Sequence, residues 1–291
     1  MTFSRRLIVN ADGFGFGAGA TQGIFDAIRE GGFISSVSVN ANFPEADQVS
    51  NLVKEFPGVS VGVHLNPLVG KPCLPVDRVP SLVGDEGYFH NEQFEKFLKQ
   101  GQISMAELEA ELDAQIHKVK TLVGDRLTHL DSHQNRHLDD YWEVFLRLAQ
   151  KWGIHYMRNN ASLICLESQT PSRSRFFAYS RNPQVWLVHQ YRKMQMDKAR
   201  SVGMRMADRL VTVGYAGLGG KYKIENWKRI LDNLPAGTYE IYCHPAYPDD
   251  TLRRWAWYCD DRALELTLLR RSELMMTAKD LGIELIGFSK L

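Results

Sequence analysis

Five of the nine histidines, His64, His129, His133, His137 and His244, stand beside the ends of short apolar runs, and three of them share one stretch. That stretch reads Thr128-His129-Leu130-Asp131-Ser132-His133-Gln134-Asn135-Arg136-His137. Imidazole nitrogens and a carboxylate this close together suit a borderline divalent ion such as Zn²⁺, or a mixed site. The H-x3-H-x3-H spacing would line three rings along one helix face, but the apolar run Leu127 to Leu130 favours a strand followed by a loop. A set of capping and hydrogen-bonding side chains at a strand end is the competing reading. Nucleophilic serine chemistry has little support. No G-x-S-x-G elbow is present, and Ser132 lies between Asp131 and His133 only in sequence. A metal-activated water is the more economical nucleophile. Only Asp12 and Asp131 are well placed as carboxylates, fewer than a two-metal phosphoesterase usually bridges.

These residues need a scaffold that gathers strand ends. Strand candidates are Leu7–Asn10, Val37–Asn42, Val59–Leu65, Leu127–Asp131, Ile154–Arg158, Tyr239–Cys243 and Ile283–Phe288. Between them run helical patterns: the stripe Ile24, Ala27 and Ile28, then 44–56, 107–122, 141–152, 226–234 and 264–281. Repeated βα units mean a parallel sheet covered by helices, either a barrel or a doubly wound sheet. The glycine-rich loop after Asp12 does not fit a dinucleotide fingerprint, so the expected fold is a closed or nearly closed barrel. In such a fold reactive groups gather at the carboxyl ends of the strands. Asp12, His64, Asp131 and His244 all fall there. The turn-rich segment Gly70 to Gly87 reads as an excursion, and the whole chain, 1–291, as one domain.

Composition narrows the classes. The chain carries 35 basic and 34 acidic side chains, is 44% hydrophobic and 24% charged, and has four cysteines. This is the profile of an ordinary globular protein, and near-neutral charge removes the simplest case for nucleic-acid binding. No Cys-x-x-Cys pair exists, so the thiols read as reduced, and neither a signal-peptide core nor an 18-residue apolar run is visible. A cytoplasmic location follows as an expectation. One region differs. Ser172 to Arg209 holds nine basic residues against Asp197 and Asp208, interleaved with Phe176, Phe177, Tyr179, Trp186, Leu187, Val188 and Tyr191. It is expected as a helical insertion, about 160–222. Its aromatics either pack on the barrel or form a lid, or a surface for an anionic substrate or lipid headgroups, which leaves peripheral membrane contact open. Homodimerisation is likewise left open.

Four motifs, in order over nearly the whole chain, resemble the YdjC-type carbohydrate deacetylases (the ChbG/HpnK group). Asn10-Ala11-Asp12-Gly13-Phe14-Gly15 is similar to the family's opening N-A-D-D-F-G, and Gly62-Val63-His64-Leu65 to its G-x-H-L. His129 to His137 resembles H-x-D-x-H-Q-H-x-H, and Glu240-Ile241-Tyr242-Cys243-His244-Pro245 resembles E-x-x-x-H-P. The resemblance implies an incomplete or distorted (β/α) TIM-like barrel that removes acetyl groups from N-acetylated amino sugars with a divalent metal, Mg²⁺ or Zn²⁺. It implies His64 and His133 as metal ligands, Asp12 as the catalytic carboxylate and His244 as the acid. Asp131 and His137 would support the site or face substrate. Two positions depart from the pattern: Gly13 replaces an Asp that is a usual ligand, and Asn135 replaces a His.

The implied reaction is hydrolysis of a sugar acetamide, with Asp12 accepting a proton from metal-activated water and His244 protonating the leaving nitrogen. Phe14 in the glycine-rich loop, and Trp255, Trp257 and Tyr258 beside Arg253 and Arg254, are candidates for contact with the sugar. The basic insertion points to a phosphate-, nucleotide- or lipid-linked sugar. The alternatives are a catalytically silent sugar-binding barrel and a metal-dependent phosphoesterase.

Overall fold

A computed structural model describes residues 4–161, 163–165, 183–213, 222–256 and 258–291. The strands are β1 (Arg5–Phe14), β2 (Ser36–Val39), β3 (Ser60–Leu65), β4 (Leu127–Ser132), β5 (Tyr156–Met157), β6 (Leu163–Cys165), β7 (Arg209–Thr212), β8 (Gly237–Cys243) and β9 (Ile283–Leu285). They form one sheet in the order β5-β4-β3-β2-β1-β8-β7-β6, with β9 beside β1. Every pairing is parallel. This is the circular order of an eight-stranded barrel, interrupted between β5 and β6, which do not pair among the described residues. The expected incomplete TIM-like barrel is therefore present.

Alternation along the strands explains what the barrel positions. One face is apolar: Leu7, Val9 and Ala11 of β1, Val37 and Val39 of β2, and Val61, Val63 and Leu65 of β3 join the large core beneath the helices. The other face carries Ile8, then Asn10 and Asp12, with Ser36, Ser38, His64, His129, Asp131 and Glu240 on neighbouring strands, all buried. Registers align these polar positions directly: Asp12 beside Ser38, and His64 beside Asp131. Ile8, Ile286 and Phe288 form a small separate apolar cluster that plugs the floor. The chain's end was expected as one strand to Phe288. It pairs only over Ile283–Leu285 and then turns inward as a 3-10 turn, Phe288–Lys290.

Ten α-helices are described: α1 (Ala18–Asp26), α2 (Val49–Glu55), α3 (Phe94–Lys99), α4 (Met105–Val123), α5 (Trp142–Lys151), α6 (Pro183–Ser201), α7 (Ile224–Asp232), α8 (Asp250–Trp255), α9 (Asp260–Leu269) and α10 (Glu273–Asp280). Helix α4 starts at the N-cap Ser104, whose side chain accepts from Glu107 N–H. Its buried Glu111 accepts the backbone N–H groups of Cys73 and Leu74 at 2.8 and 2.9 Å, strapping the 70–87 excursion onto the barrel. The expected helix 264–281 is two, α9 and α10. Gly31 lets the end of α9 pack close, because a Cβ there would meet the Leu269 carbonyl oxygen at 1.8 Å.

The stretch expected as an insertion contains two of the sheet's own strands, β6 and β7, and only in part stands outside the barrel. Its helix α6 buries Met196 and Ala199 but leaves Trp186, Leu187, Val188 and Tyr191 exposed, so these side chains do not pack on the barrel. Phe176, Phe177, Tyr179 and Trp257 lie outside the described residues. No helix among the described residues is long and apolar enough to cross a membrane.

Candidate active site

The carboxyl ends of β1, β3 and β4, with the segments after β5 and β8, open onto one cavity of about 420 Å³. Asp12, His64, His133, His244, Trp255 and Tyr258 line it, so six of the sequence candidates converge. Asp12 is 3% exposed. Its carboxylate accepts two N–H groups from Arg158, Nη1 to Oδ2 at 2.8 Å and Nη2 to Oδ1 at 2.7 Å, and a third from Asn10 Nδ2 at 2.6 Å. Burial alone would raise its pKa. The Arg158 guanidinium more than offsets that and holds the carboxyl well below its ordinary range.

Arg158 is the hub. Its Nε donates to Glu240 Oε1 at 2.6 Å, and Nη2 lies 3.1 Å from Asp131 Oδ2. One buried cation thus faces three buried carboxylates, and Glu240 is left with its carboxyl pushed up to about 7 by burial that Arg158 only partly offsets. Asp131 in turn meets His64 Nδ1 at 2.8 Å and accepts from Ser38 Oγ at 2.9 Å. His64 Nδ1 is thereby committed, which leaves Nε2 for the cavity, the carboxylate–imidazole relay that orients a metal-binding or proton-handling ring. The His133 ring stands edge-on to His64, centroids 5.7 Å apart, with Phe16 stacked on its other side at 5.8 Å. Burial, with the charges of His64 and Arg262, pushes the His133 pKa down, so the ring is neutral and available as a ligand.

His244 follows β8. Its Nε2 lies 4.0 Å from Asp12 Oδ2, and its ring sits edge-on to both Tyr242 and Tyr258. The backbone N–H of His244 donates to Glu265 on α9 at 2.9 Å, which fixes the turn that carries it.

Position corrects one expectation, and it narrows two others to their supporting alternative. Phe14 is fully buried against Phe25, away from the cavity. The reason is a bulge: the β1–β2 register shifts between Asp12 and Phe14, and Gly13, at φ 101°, turns Phe14 out of the alternation. Phe16 takes the cavity wall instead. His137 is also fully buried, hydrogen-bonded to Ser132 Oγ through Nδ1 and stacked on Phe145 at 4.4 Å, so it supports the wall from behind. Asp131 likewise lies behind His64. Trp255 does line the cavity, packed on Tyr88. Asn135 stands on the rim, accepting from Asn160 at 3.0 Å.

Sequence reasoning missed Arg158, Glu240 and Arg262. A charged residue inside or closing an apolar strand of a parallel sheet is itself a signal, and Arg158 and Glu240 both met it. Arg262, on a helix whose start was placed four residues too late, met none.

The donors for a divalent cation can be tested against this geometry. Ligand-type atoms of Asp12, His64 and Asp131 lie within 4.8 Å of one another, and His64 and His133 add the imidazoles such a cation takes. Gly13 contributes no donor, and the nearest group to where its side chain would begin is Arg262 Nη1, 3.5 Å away. The residues present suit a cation held by imidazole and Asp12, with one anionic ligand fewer than the resemblance implies.

A family model described as YdjC-like protein matches residues 6–280. A carbohydrate deacetylase of Halalkalibacterium halodurans is 33% identical over 275 residues, covering 92% of this chain and 97% of its own. One from Enterococcus faecalis is 30% identical over 298 residues, covering 99% and 98%. A crystal structure described as a cellobiose-phosphate cleavage protein of Enterococcus faecalis superposes with a TM-score of 0.75 at 27% identity, over 99% of this chain and 98% of that one.

Proposed function

The chain belongs to the YdjC-like family, and from that premise we propose that it is a carbohydrate N-deacetylase, hydrolysing the acetamide of an N-acetylated amino sugar to the amine and acetate. The observation that carries this reading is the pair at the mouth of the barrel: an ionised Asp12 pinned by two Arg158 donors, with the His244 imidazole 4.0 Å away in the same cavity. A base and an acid on one side of a small-ligand cavity are what amide hydrolysis needs.

The sugar stacks on the Trp255 side of the wall, and its acetyl group enters between Asp12 and His133. Asp12 takes a proton as a water oxygen attacks the carbonyl carbon, and the carbonyl π pair becomes an oxyanion. His244 gives a proton to the nitrogen as the C–N bond breaks, because an amide anion is too poor a leaving group to depart unprotonated. Arg158 keeps the Asp12 carboxylate in one orientation throughout, and its charge keeps that carboxylate ionised between turnovers. A divalent cation held by His64 and His133, with Asp12, would acidify the water and polarise the carbonyl; two imidazole donors favour Zn²⁺ over Mg²⁺.

The test is acetate release from N-acetylglucosamine and its short oligomers. Asp12→Asn keeps one Arg158 hydrogen bond but removes a buried counter-charge, so it should lower the melting temperature; assayed where far-UV circular dichroism shows it folded, its acetate release should fall by about 10²- to 10⁴-fold. Near-normal turnover in that variant refutes the base assignment. No acetate from the wild type with any amino sugar, metal-loaded or not, would favour the sugar-binding barrel instead.

A further inference from the structure

Two arginines are buried in the cavity wall, and they are treated differently. Arg158 has three carboxylates within 4 Å. Arg262 is 3% exposed and has none among the described residues. Its Nη2 donates to Tyr258 OH at 3.1 Å, a neutral partner, and its Nε has no partner among the described residues. A buried cation without a counter-charge is unfavourable, so the described residues leave Arg262 suited to an anion that enters the cavity.

Geometry says where that anion sits. The guanidinium is clamped between two rings, 4.5 Å from the Tyr258 centroid and 5.8 Å from that of Phe16. Its Nη1 reaches the side-chain space that Gly13 leaves open, at 3.5 Å, one residue from the Asp12 base. Helix α9 makes this placement rigid: it carries Arg262 and also Glu265, which holds the His244 backbone, and the Arg262 carbonyl accepts from Ala246 N–H. The free edge of the guanidinium thus faces the reacting end of the cavity, beside the base and on the helix that fixes the acid.

We propose that Arg262 is a catalytic residue, receiving the oxyanion formed when water adds to the acetyl carbonyl, at the place where Gly13 has removed a carboxylate. This rests on the deacetylase reading. As the C=O π pair moves onto oxygen, the new negative charge pairs with the guanidinium. The pair returns when the C–N bond breaks, and acetate leaves from the same place. The positive charge beside Gly13 takes over work that a more tightly held cation would otherwise do.

Two measurements test it on the full-length protein. The first is binding of methylphosphonate, a tetrahedral anion bearing a methyl group, by calorimetry after dialysis against a chelator. Wild type should bind it, and Arg262→Gln at least 10-fold more weakly. The second is steady-state acetate release. Arg262→Gln should lose about 100- to 1000-fold in kcat with KM changed less than threefold, and Arg262→Lys should recover part of the loss. Because the Gln variant removes an uncompensated buried charge, its melting temperature should match or exceed that of wild type. A KM effect with kcat intact would overturn the proposal and assign Arg262 to an acidic group of the substrate. Equal methylphosphonate binding by wild type and variant, or a lowered melting temperature with normal kcat, would also overturn it. Methylphosphonate binding without acetate release by wild type would refute the deacetylase reading while leaving the anion site standing.

Discussion

Replacing Arg158 by Met tests the electrostatic core of the site. The substitution keeps most of the stem's volume and deletes the only cation that, among the described residues, touches Asp12, Asp131 and Glu240 together. Removing one partner of a buried ion pair leaves an uncompensated charge and costs about 3–5 kcal/mol, a large share of the roughly 5–15 kcal/mol that keeps a domain folded. The loss should depend on pH in a specific direction. In the wild type the Asp12 pKa lies below its ordinary 3.8, so its contribution is fully present above 3.8 and is lost only as pH falls through the lower folded value. In the variant burial is opposed only by the smaller contributions of His64 and His244, so the Asp12 pKa moves up, and over the range in which it exceeds 3.8 the native state becomes less stable as pH rises towards the new value. Glu240, already pushed up to about 7 in the wild type, moves further the same way. The deficit should therefore be larger at pH 7.5 than at pH 5, by about 1.4 kcal/mol for each pH unit over which one extra proton is retained by the native state. Urea unfolding followed by far-UV circular dichroism at both pH values measures it. A deficit under about 1 kcal/mol, or one independent of pH, would show that Arg158 is not the counter-charge on which the cluster depends.

Two further outcomes follow from the barrel interior. Gly62→Ala would drive a Cβ to 2.4 Å from His129 Nε2. That ring cannot retreat, being stacked on Phe288 at 3.8 Å and bonded to Thr128 Oγ1, so a loss of about 1–3 kcal/mol is expected in thermal unfolding, and an unchanged melting curve would mean the floor is loosely packed. His137 is held neutral, its pKa pushed down to about 3 from 6.5 by burial. The unfolded chain therefore takes up a proton below pH 6.5 that the native state refuses, and stability falls with pH across that window. His137→Phe keeps the ring against Phe145 but does not titrate, so between pH 7 and 5 it should lose about 2 kcal/mol less than wild type; equal losses in urea melts would contradict the buried neutral ring.

Apolar runs of four to seven residues between helical stripes were enough to read a parallel βα sheet from the sequence, because strands buried on both faces announce themselves by composition; that pattern favoured a barrel over a doubly wound sheet without deciding between them. Chemistry-bearing types at strand ends likewise placed Asp12, His64, His133 and His244 in one pocket, since parallel strands deliver their carboxyl ends to one mouth. What local pattern could not supply was direction and company. The bulge at Gly13 turned Phe14 away and put Phe16 on the wall, through a register shift that depends on the partner strand. His137, by sequence either supporting or substrate-facing, is a supporting core residue, because the turn after Ser132 folds it onto Phe145. Arg158 and Arg262 are both lone arginines in sequence. Only the folded sheet, which among the described residues brings three carboxylates to the first and none to the second, separates a structural counter-charge from a cation that awaits an anion. Burial makes that difference matter, since charge left uncompensated in water costs little and in a barrel mouth costs a great deal.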